Sequence, residues 1–209
     1  YINRFCFIFM KVFTEKEAGS FLSKQGFNLL PGFYLKKESD LEKVNFDFPY
    51  VAKISGKKII HKKKQGGIIL NVKDVQDVLN SFNYLKKIKG FEEVFFQKQI
   101  SGIELILGIK KTPEFGHVVV FGEGGSGVEE KEDFTFRVFP VSLSDVKEMI
   151  NETKISKKLK SKEILILEKE IFKLNKLVKK YLEIKELDVN PLIISSNKPY
   201  FVDTRIVFD

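Results

Sequence analysis

The chain predicts an α+β fold with largely antiparallel sheets, and three observations carry that expectation. Helical and strand patterns follow one another without the regular strand–helix–strand succession of a parallel sheet. The middle of the chain, from Glu93 to Phe139, is dense in short β-type segments joined by Gly and Pro turns. From about Leu187 the sequence turns to strands again. With 209 residues, 43% of them hydrophobic, there is enough apolar material for one substantial core or two small lobes.

Met10 opens the first well-patterned segment, and residues 1–9 are expected to be a leader or extension. Thr14 and Glu17 make a capping box for a helix that Gly26 stops. Ser39 and Glu42 repeat the signature at a shorter helix. Tyr50–Ser55 and Ile68–Val72 read as strands flanking the loop GKKIIHKKKQGG. Asp74 then caps an amphipathic helix with Val75, Val78, Leu79, Phe82 and Leu85 at helical spacing. Four strands are expected at Glu93–Phe96, Ile103–Ile109, Val118–Phe121 and Phe134–Phe139. A helical stretch follows from Ser144 to about Leu182, broken by a lysine-rich connector at Lys154–Lys162. Three last strands lie around Leu187, at Leu192–Ile194 and at Tyr200–Val207.

Charge narrows the function. Lys+Arg minus Asp+Glu is 36 − 28 = +8, yet only Arg4, Arg137 and Arg205 are arginine. Nucleic-acid readers favour arginine, whose planar fork binds bidentately, and interleave stacking aromatics with their basic residues. A lysine surface with neither reads as a solvated one, and nucleic acid is not an expected partner. No run of about 18 apolar residues occurs, so no helical membrane span is expected. One cysteine, Cys6, forms no internal disulfide and suits a reducing cytoplasm. With only two histidines besides, a zinc site of the usual kind is not expected.

Lys53 interrupts the apolar strand VAKIS, either as an outward edge-strand charge or as a group aimed at an anion. The following loop holds His61, Lys62, Gly66 and Gly67 among further lysines. Glycines let backbone N–H groups approach an anion and lysines neutralise it, which suits a polyphosphate. A solvated lysine-rich loop is the plain alternative. The cluster FGEGGSG is not a dinucleotide fingerprint, because no helix pattern follows it and Glu129, Glu130 and Glu132 would repel a pyrophosphate. It reads as a flexible turn or lid. Near the C-terminus, ELDVNPL sets Glu186, Asp188 and Asn190 on one side of a strand. Asp203, expected mid-strand in FVDTRI, comes beside Asn190 if a turn at Asn197–Pro199 makes a hairpin. Oxygen ligands on adjacent strands, with sites left for water and phosphate, suit Mg²⁺. A polar face exposed to water is the other reading.

Taken together these blocks resemble the β subunit of ADP-forming acetyl-CoA (acyl-CoA) synthetases and, more distantly, that of succinyl-CoA synthetase. The likeness runs from Met10 to the end, through TEKEAGSFLSKQG, PYVAKIS with HKKKQGG, GIELILGIKKTPEFGHVVVFGEGG, VEEKEDFTFRVFP, ELDVNPL and VDTRI. It implies an ATP-grasp fold, two lobes clamping ATP or ADP. The smaller lobe would be about 27–97, and the larger about 98–209 with the N-terminal helix, one module over 10–209. By resemblance Lys53 reaches a phosphate, and the His61–Gly67 loop with Lys62, Gly66 and Gly67 covers the phosphates. Gln97, Lys98, Gln99 and Ile100 form a hinge that meets adenine through its backbone. Glu104 binds ribose, Asn190 and Asp203 hold Mg²⁺ with Asp188 close by, and Arg137 faces the transferred phosphate. His61 is the family's suggested phosphoryl acceptor, whereas a histidine between lysines is otherwise a bystander. Lys63, Lys64 and Lys98 depart from the family's usual residues. The chemistry implied is acyl-CoA + ADP + phosphate ⇌ acid + CoA + ATP, with a separate CoA-binding α subunit in a heterotetramer of two α and two β chains. A stand-alone ATP-grasp ligase joining a carboxylate to an amine is the competing enzyme, and a basic nucleic-acid binder the non-enzymatic one.

Overall fold

The computed structural model describes residues 10–56, 59, 62, 65–125 and 132–209, the side chain of Lys43 excepted. Its elements are β1 (Lys11–Phe13), α1 (Glu15–Lys24), β2 (Gly32–Leu35), β3 (Tyr50–Ser55), β4 (Ile68–Val72), α2 (Val75–Leu85) and β5 (Glu93–Lys98). They continue with β6 (Ile103–Thr112), β7 (Gly116–Glu123), β8 (Phe134–Val138), α3 (Leu143–Asn151), α4 (Ser161–Lys180), β9 (Ile184–Ser195), β10 (Lys198–Phe201) and β11 (Thr204–Phe208). The chain divides into two compact units, Leu30–Ser101 and the remainder on either side of it.

The inserted unit is an antiparallel sheet in the order β2-β5-β3-β4 with α2 on one face. The Asp74 carboxylate accepts the Asp77 N–H at 2.8 Å, and Val78, Phe82 and Leu85 make the buried stripe of α2. They pack on Leu35, Ala52, Ile54, Val94 and Phe96. Burying each such large side chain stabilises by about 1.5–3 kcal/mol. The short helix is a 3₁₀ helix, Glu38–Lys43, and Asp40 caps it by accepting the Lys37 N–H. The expected Ser39/Glu42 box is therefore displaced by two residues.

The other unit has a seven-stranded sheet, β1-β11-β9-β6-β7-β8, with β10 also paired to β9. Thr14 and Glu17 form the expected box at the head of α1. Ala18 and Leu22 of α1, Val146, Met149 and Ile150 of α3, and Leu167, Ile171 and Leu174 of α4 bury one face of the sheet. Leu105, Leu107, Ile109, Val119, Phe121, Leu187 and Val189 point into that core. Alternate positions point the other way. Through the register Asp188↔Gly108↔Val120↔Phe136, that second face spans four strands. On edge strand β8 it exposes Phe134 (53%), Phe136 (62%) and Val138 (44%).

Two expectations about the last strands are corrected. The strands near Leu187 and at Leu192–Ile194 are one strand, β9, running through Pro191. Its ladder to β6 shifts register there, where Asn190 and Pro191 oppose Ile106, so the missing proline N–H costs no regular ladder bond. Conversely, Tyr200–Val207 is two strands, because the chain bends at Val202–Asp203. The turn before β10 is the two-residue Ser196–Asn197, both at positive φ, as a type I′ hairpin requires. The lysine-rich connector is a 3₁₀ helix, Lys154–Lys158, held because the Asp133 carboxylate accepts the Lys154 and Ile155 N–H groups at 2.6 and 2.9 Å.

Candidate functional site

In the Leu30–Ser101 unit the face turned away from α2 carries Lys53, Ser55, Glu93 and Gln97, which register places on adjacent strands. Lys53 lies on β3, an inner strand, and is 4% exposed, so the edge-charge reading fails. Its Nζ donates to Gln97 Oε1 at 2.8 Å and lies 6.0 Å from the Phe95 ring centroid, where Tyr34 stacks on the far strand. A buried ammonium is costly without polar partners. The glutamine supplies a neutral one.

The next two residues are held as firmly. Lys98 Nζ donates to Asp47 O, Asp47 Oδ1 and Phe48 O at 2.6–2.8 Å, while its N–H goes to Pro31 O. Gln99 gives its N–H to Pro49 O and pairs its side chain with Asn71. Gln97, Lys98 and Gln99 thus spend their side chains on other parts of this unit. Ile100 makes no backbone hydrogen bond among the described residues. Of the loop, Lys62, Gly66 and Gly67 are described, and His61 lies outside the described residues. The Gly67 N–H donates to Lys62 O at 2.7 Å, so it is not offered to an anion; a Cβ there would come within 2.4 Å of Ile54 Cγ2. Close packing explains this glycine.

In the other unit, the β9–β10–β11 hairpin brings Asp203 opposite Asn190, whose N–H donates to the Asp203 carbonyl at 3.4 Å. Asp203 is not mid-strand as expected: it occupies the bend, at φ 46°. Asn190 Oδ1 accepts the Gly125 N–H at 2.9 Å. Gly125 also lies against Glu104, since a Cβ on it would be 2.0 Å from Glu104 Oε2. Glu104, Asp188 and Asn190 therefore share one side of the sheet with the Asp203 bend. Burial, then the neighbouring carboxylates of Glu186 and Asp203, push the Asp188 carboxyl above its ordinary range, while Arg205 pulls it down. Two carboxylates and an amide oxygen, completed by water and phosphate, suit Mg²⁺, and a cation would relieve the like-charge crowding. Among the described residues no group of three or more His, Cys, Asp or Glu could hold a metal, so Asn190 and the nucleotide's own oxygens would have to contribute.

A family model for the ATP-grasp domain matches residues 10–208. The chain belongs to the ATP-grasp family. An Archaeoglobus fulgidus ADP-forming acetate–CoA ligase II is 34% identical over 201 residues, 92% of this chain and 30% of that protein. The β subunit of a Pyrococcus furiosus ADP-forming acetate–CoA ligase I is 32% identical over 212 residues, 93% of this chain and 90% of that subunit. The ATP-grasp chain thus spans about a third of one relative and nearly all of the other. A Korarchaeum cryptofilum acetyl-coenzyme A synthetase solved with coenzyme A and Ca-AMPCP superposes with a TM-score of 0.83 at 28% identity, over 95% of this chain and 94% of that one. The same enzyme has been solved with Mg-AMPPCP and a phosphohistidine segment pointing towards the nucleotide site (TM-score 0.77, 28% identity, 95% and 93% coverage).

One ATP-grasp residue expected at the site is placed elsewhere. Arg137 pairs in register with Val119 and so points to the helix side, opposite to Asp188 and Gly108. Its guanidinium donates to Glu152 at 2.5 Å, which raises its pKa further. Its side chain is engaged with Glu152 on that face, and strand parity sets the side it leaves from. Sequence reading passed over Asn71, Glu93, Gly125 and Asp133. Only Gly125 carried a signal, as part of the glycine cluster. Among the described residues no helix is long and apolar enough to cross a membrane.

Proposed function

We propose that the chain is the nucleotide-handling β subunit of an ADP-forming acyl-CoA synthetase, catalysing with its partner acyl-CoA + ADP + phosphate ⇌ acid + CoA + ATP in the cytoplasm. The observation that carries this is the gathering of Glu104, Asp188, Asn190 and the Asp203 bend on one side of a sheet. Such an acceptor-rich surface repels a bare polyphosphate and attracts one that arrives with a divalent cation. The A. fulgidus and P. furiosus relatives and the nucleotide-bound K. cryptofilum structures support the reaction class.

In this reading Lys53 neutralises a nucleotide phosphate, and Gln97 keeps its ammonium aimed. Ile100 meets adenine through its backbone, and Glu104 accepts ribose hydroxyls. Asp203, Asn190 and Asp188 hold Mg²⁺, which supplies charge neutralisation of the transferred phosphoryl group when bound. His61 takes the phosphoryl group and passes it to or from a histidine of a CoA-binding α subunit, in a heterotetramer of two α and two β chains.

Titration calorimetry of the chain with Mg-ATP and Mg-ADP tests the first half. Binding should require the metal, and Lys53→Met should weaken it by about tenfold or more. Binding of neither nucleotide sinks the proposal. Phosphate label from ATP should be lost in mild acid, kept in base, and absent from His61→Ala while that variant still binds nucleotide. Label retained in His61→Ala would return His61 to the ordinary loop residues.

A further inference from the structure

We infer that Asn71 is a positioning residue for the nucleotide, acting through the side chain of Gln99; the inference rests on the nucleotide reading above. Asn71 has a left-handed backbone, φ 58°, inside a strand. Between the pairs Tyr50↔Val72 and Ala52↔Ile69 the ladder shifts register, so Leu70 and Asn71 together oppose Val51. A bulge of this kind re-aims the residues beside it, and asparagine tolerates its conformation better than most side chains. Here the bulge is bolted down. The Asn71 N–H donates to Gln99 Oε1 at 2.7 Å, and Gln99 Nε2 donates back to Asn71 Oδ1 at 3.0 Å.

The two ends of this amide pair belong to the two functional parts of the unit. Gln99 precedes Ile100 in the expected hinge, and its own N–H is fixed on Pro49 O. Asn71 lies three residues after Ile68, which pairs directly with Lys53. The residue before Ile68, Gly67, closes the phosphate-loop candidate and accepts the Ile54 N–H at 2.8 Å. Sliding or untwisting β4 would therefore shift the loop's end and the strand beside Lys53 relative to the hinge. The Asn71–Gln99 pair opposes that motion and keeps the base end and the phosphate end at a fixed separation. The bonds spend these side chains on one another, so losing them should weaken nucleotide binding through position and not through a lost side-chain contact.

The test uses the full chain, with Mg-ATP calorimetry and a thermal melt for each variant. Gln99→Leu keeps bulk and removes both bonds; affinity should fall about tenfold. Asn71→Gly accepts the positive φ, keeps the backbone bond and loses the return bond; affinity should fall about threefold. Asn71→Asp keeps an acceptor for Gln99 Nε2 and should stay within about twofold of wild type. Should Gln99→Leu fold poorly, the Gly and Asp pair decides alone. Wild-type affinity in both Gln99→Leu and Asn71→Gly, or equal losses in the Gly and Asp variants, overturns the inference while leaving nucleotide binding intact. A wild-type chain that binds no Mg-nucleotide removes the function reading and this inference with it.

Discussion

Burial and two like charges hold the Asp188 carboxyl above its ordinary range, and that has a sign in stability. A raised folded pKa means that the folded chain binds this proton more tightly than the unfolded chain. Its contribution therefore declines as pH rises from the ordinary carboxylate value through the raised one. Without metal, Asp188→Asn should melt higher than wild type at neutral pH, and the gap should close in acid. The same variant should bind Mg-nucleotide more weakly, since it gives up charge at the candidate metal site. A melt in chelator at two pH values, followed by titration, separates the two effects; no stability gain at neutral pH would contradict the electrostatic account. Asp203→Asn should lose more, about tenfold in Mg-nucleotide affinity, or about 1.4 kcal/mol. Asp133 is buried for another reason: its two oxygens accept two backbone N–H groups. Asp133→Asn exchanges one acceptor for a donor and should cost about 1–3 kcal/mol in urea denaturation.

Among the elements, Gly125 offers a test with an internal control. Gly116 and Gly125 both have positive φ, at 66° and 85°, but only Gly125 has a neighbour where a Cβ would go. Both Ala variants should lose about 1–2 kcal/mol for backbone strain. Gly125→Ala should in addition displace Glu104 and weaken nucleotide binding, whereas Gly116→Ala should leave it unchanged. Equal affinities in calorimetry would detach Glu104 from the nucleotide. The flexible turn or lid expected of FGEGGSG does not hold for Gly122 and Gly124, whose missing side chains let them lie against Asp133 and Leu105 backbone. Much else was legible locally. The Thr14–Glu17 box, the Asp74 cap, the α2 stripe and strands β3 and β4 each depend on a few adjacent residues. The Asn190–Asp203 juxtaposition was legible too, because a hairpin's register follows from its turn. What escaped depends on distant pairing. Pro191 reads as a break until a neighbouring strand makes room for it. The side to which Arg137 points follows from parity counted across β7, β6 and β9, which no window of sequence contains. Asn71 carries no mark of its partner 28 positions away.

For the whole molecule, the division of labour proposed above makes a sharp claim. This chain alone should form no acyl-CoA from acid, CoA and ATP, and adding a CoA-binding α subunit should restore synthesis. Turnover by the isolated chain would refute that division. Native mass measurement of the mixture would read the subunit ratio.

The two sheets also end differently, and this bears on handling the protein. The outer strand β4 is broken by the Asn71 bulge, which spoils it as a template for another strand. No such interruption is recorded in β8, whose five residues pair straight along β7 and turn Phe134, Phe136 and Val138 to solvent. An uninterrupted margin with aromatic and β-branched side chains and a single charge, Arg137, is the kind that recruits further copies edge to edge. Concentrated preparations should scatter light increasingly with time, and Phe136→Lys should suppress the scattering without altering nucleotide affinity. Purification without a partner chain is then a contest between folding and the stickiness of one five-residue border.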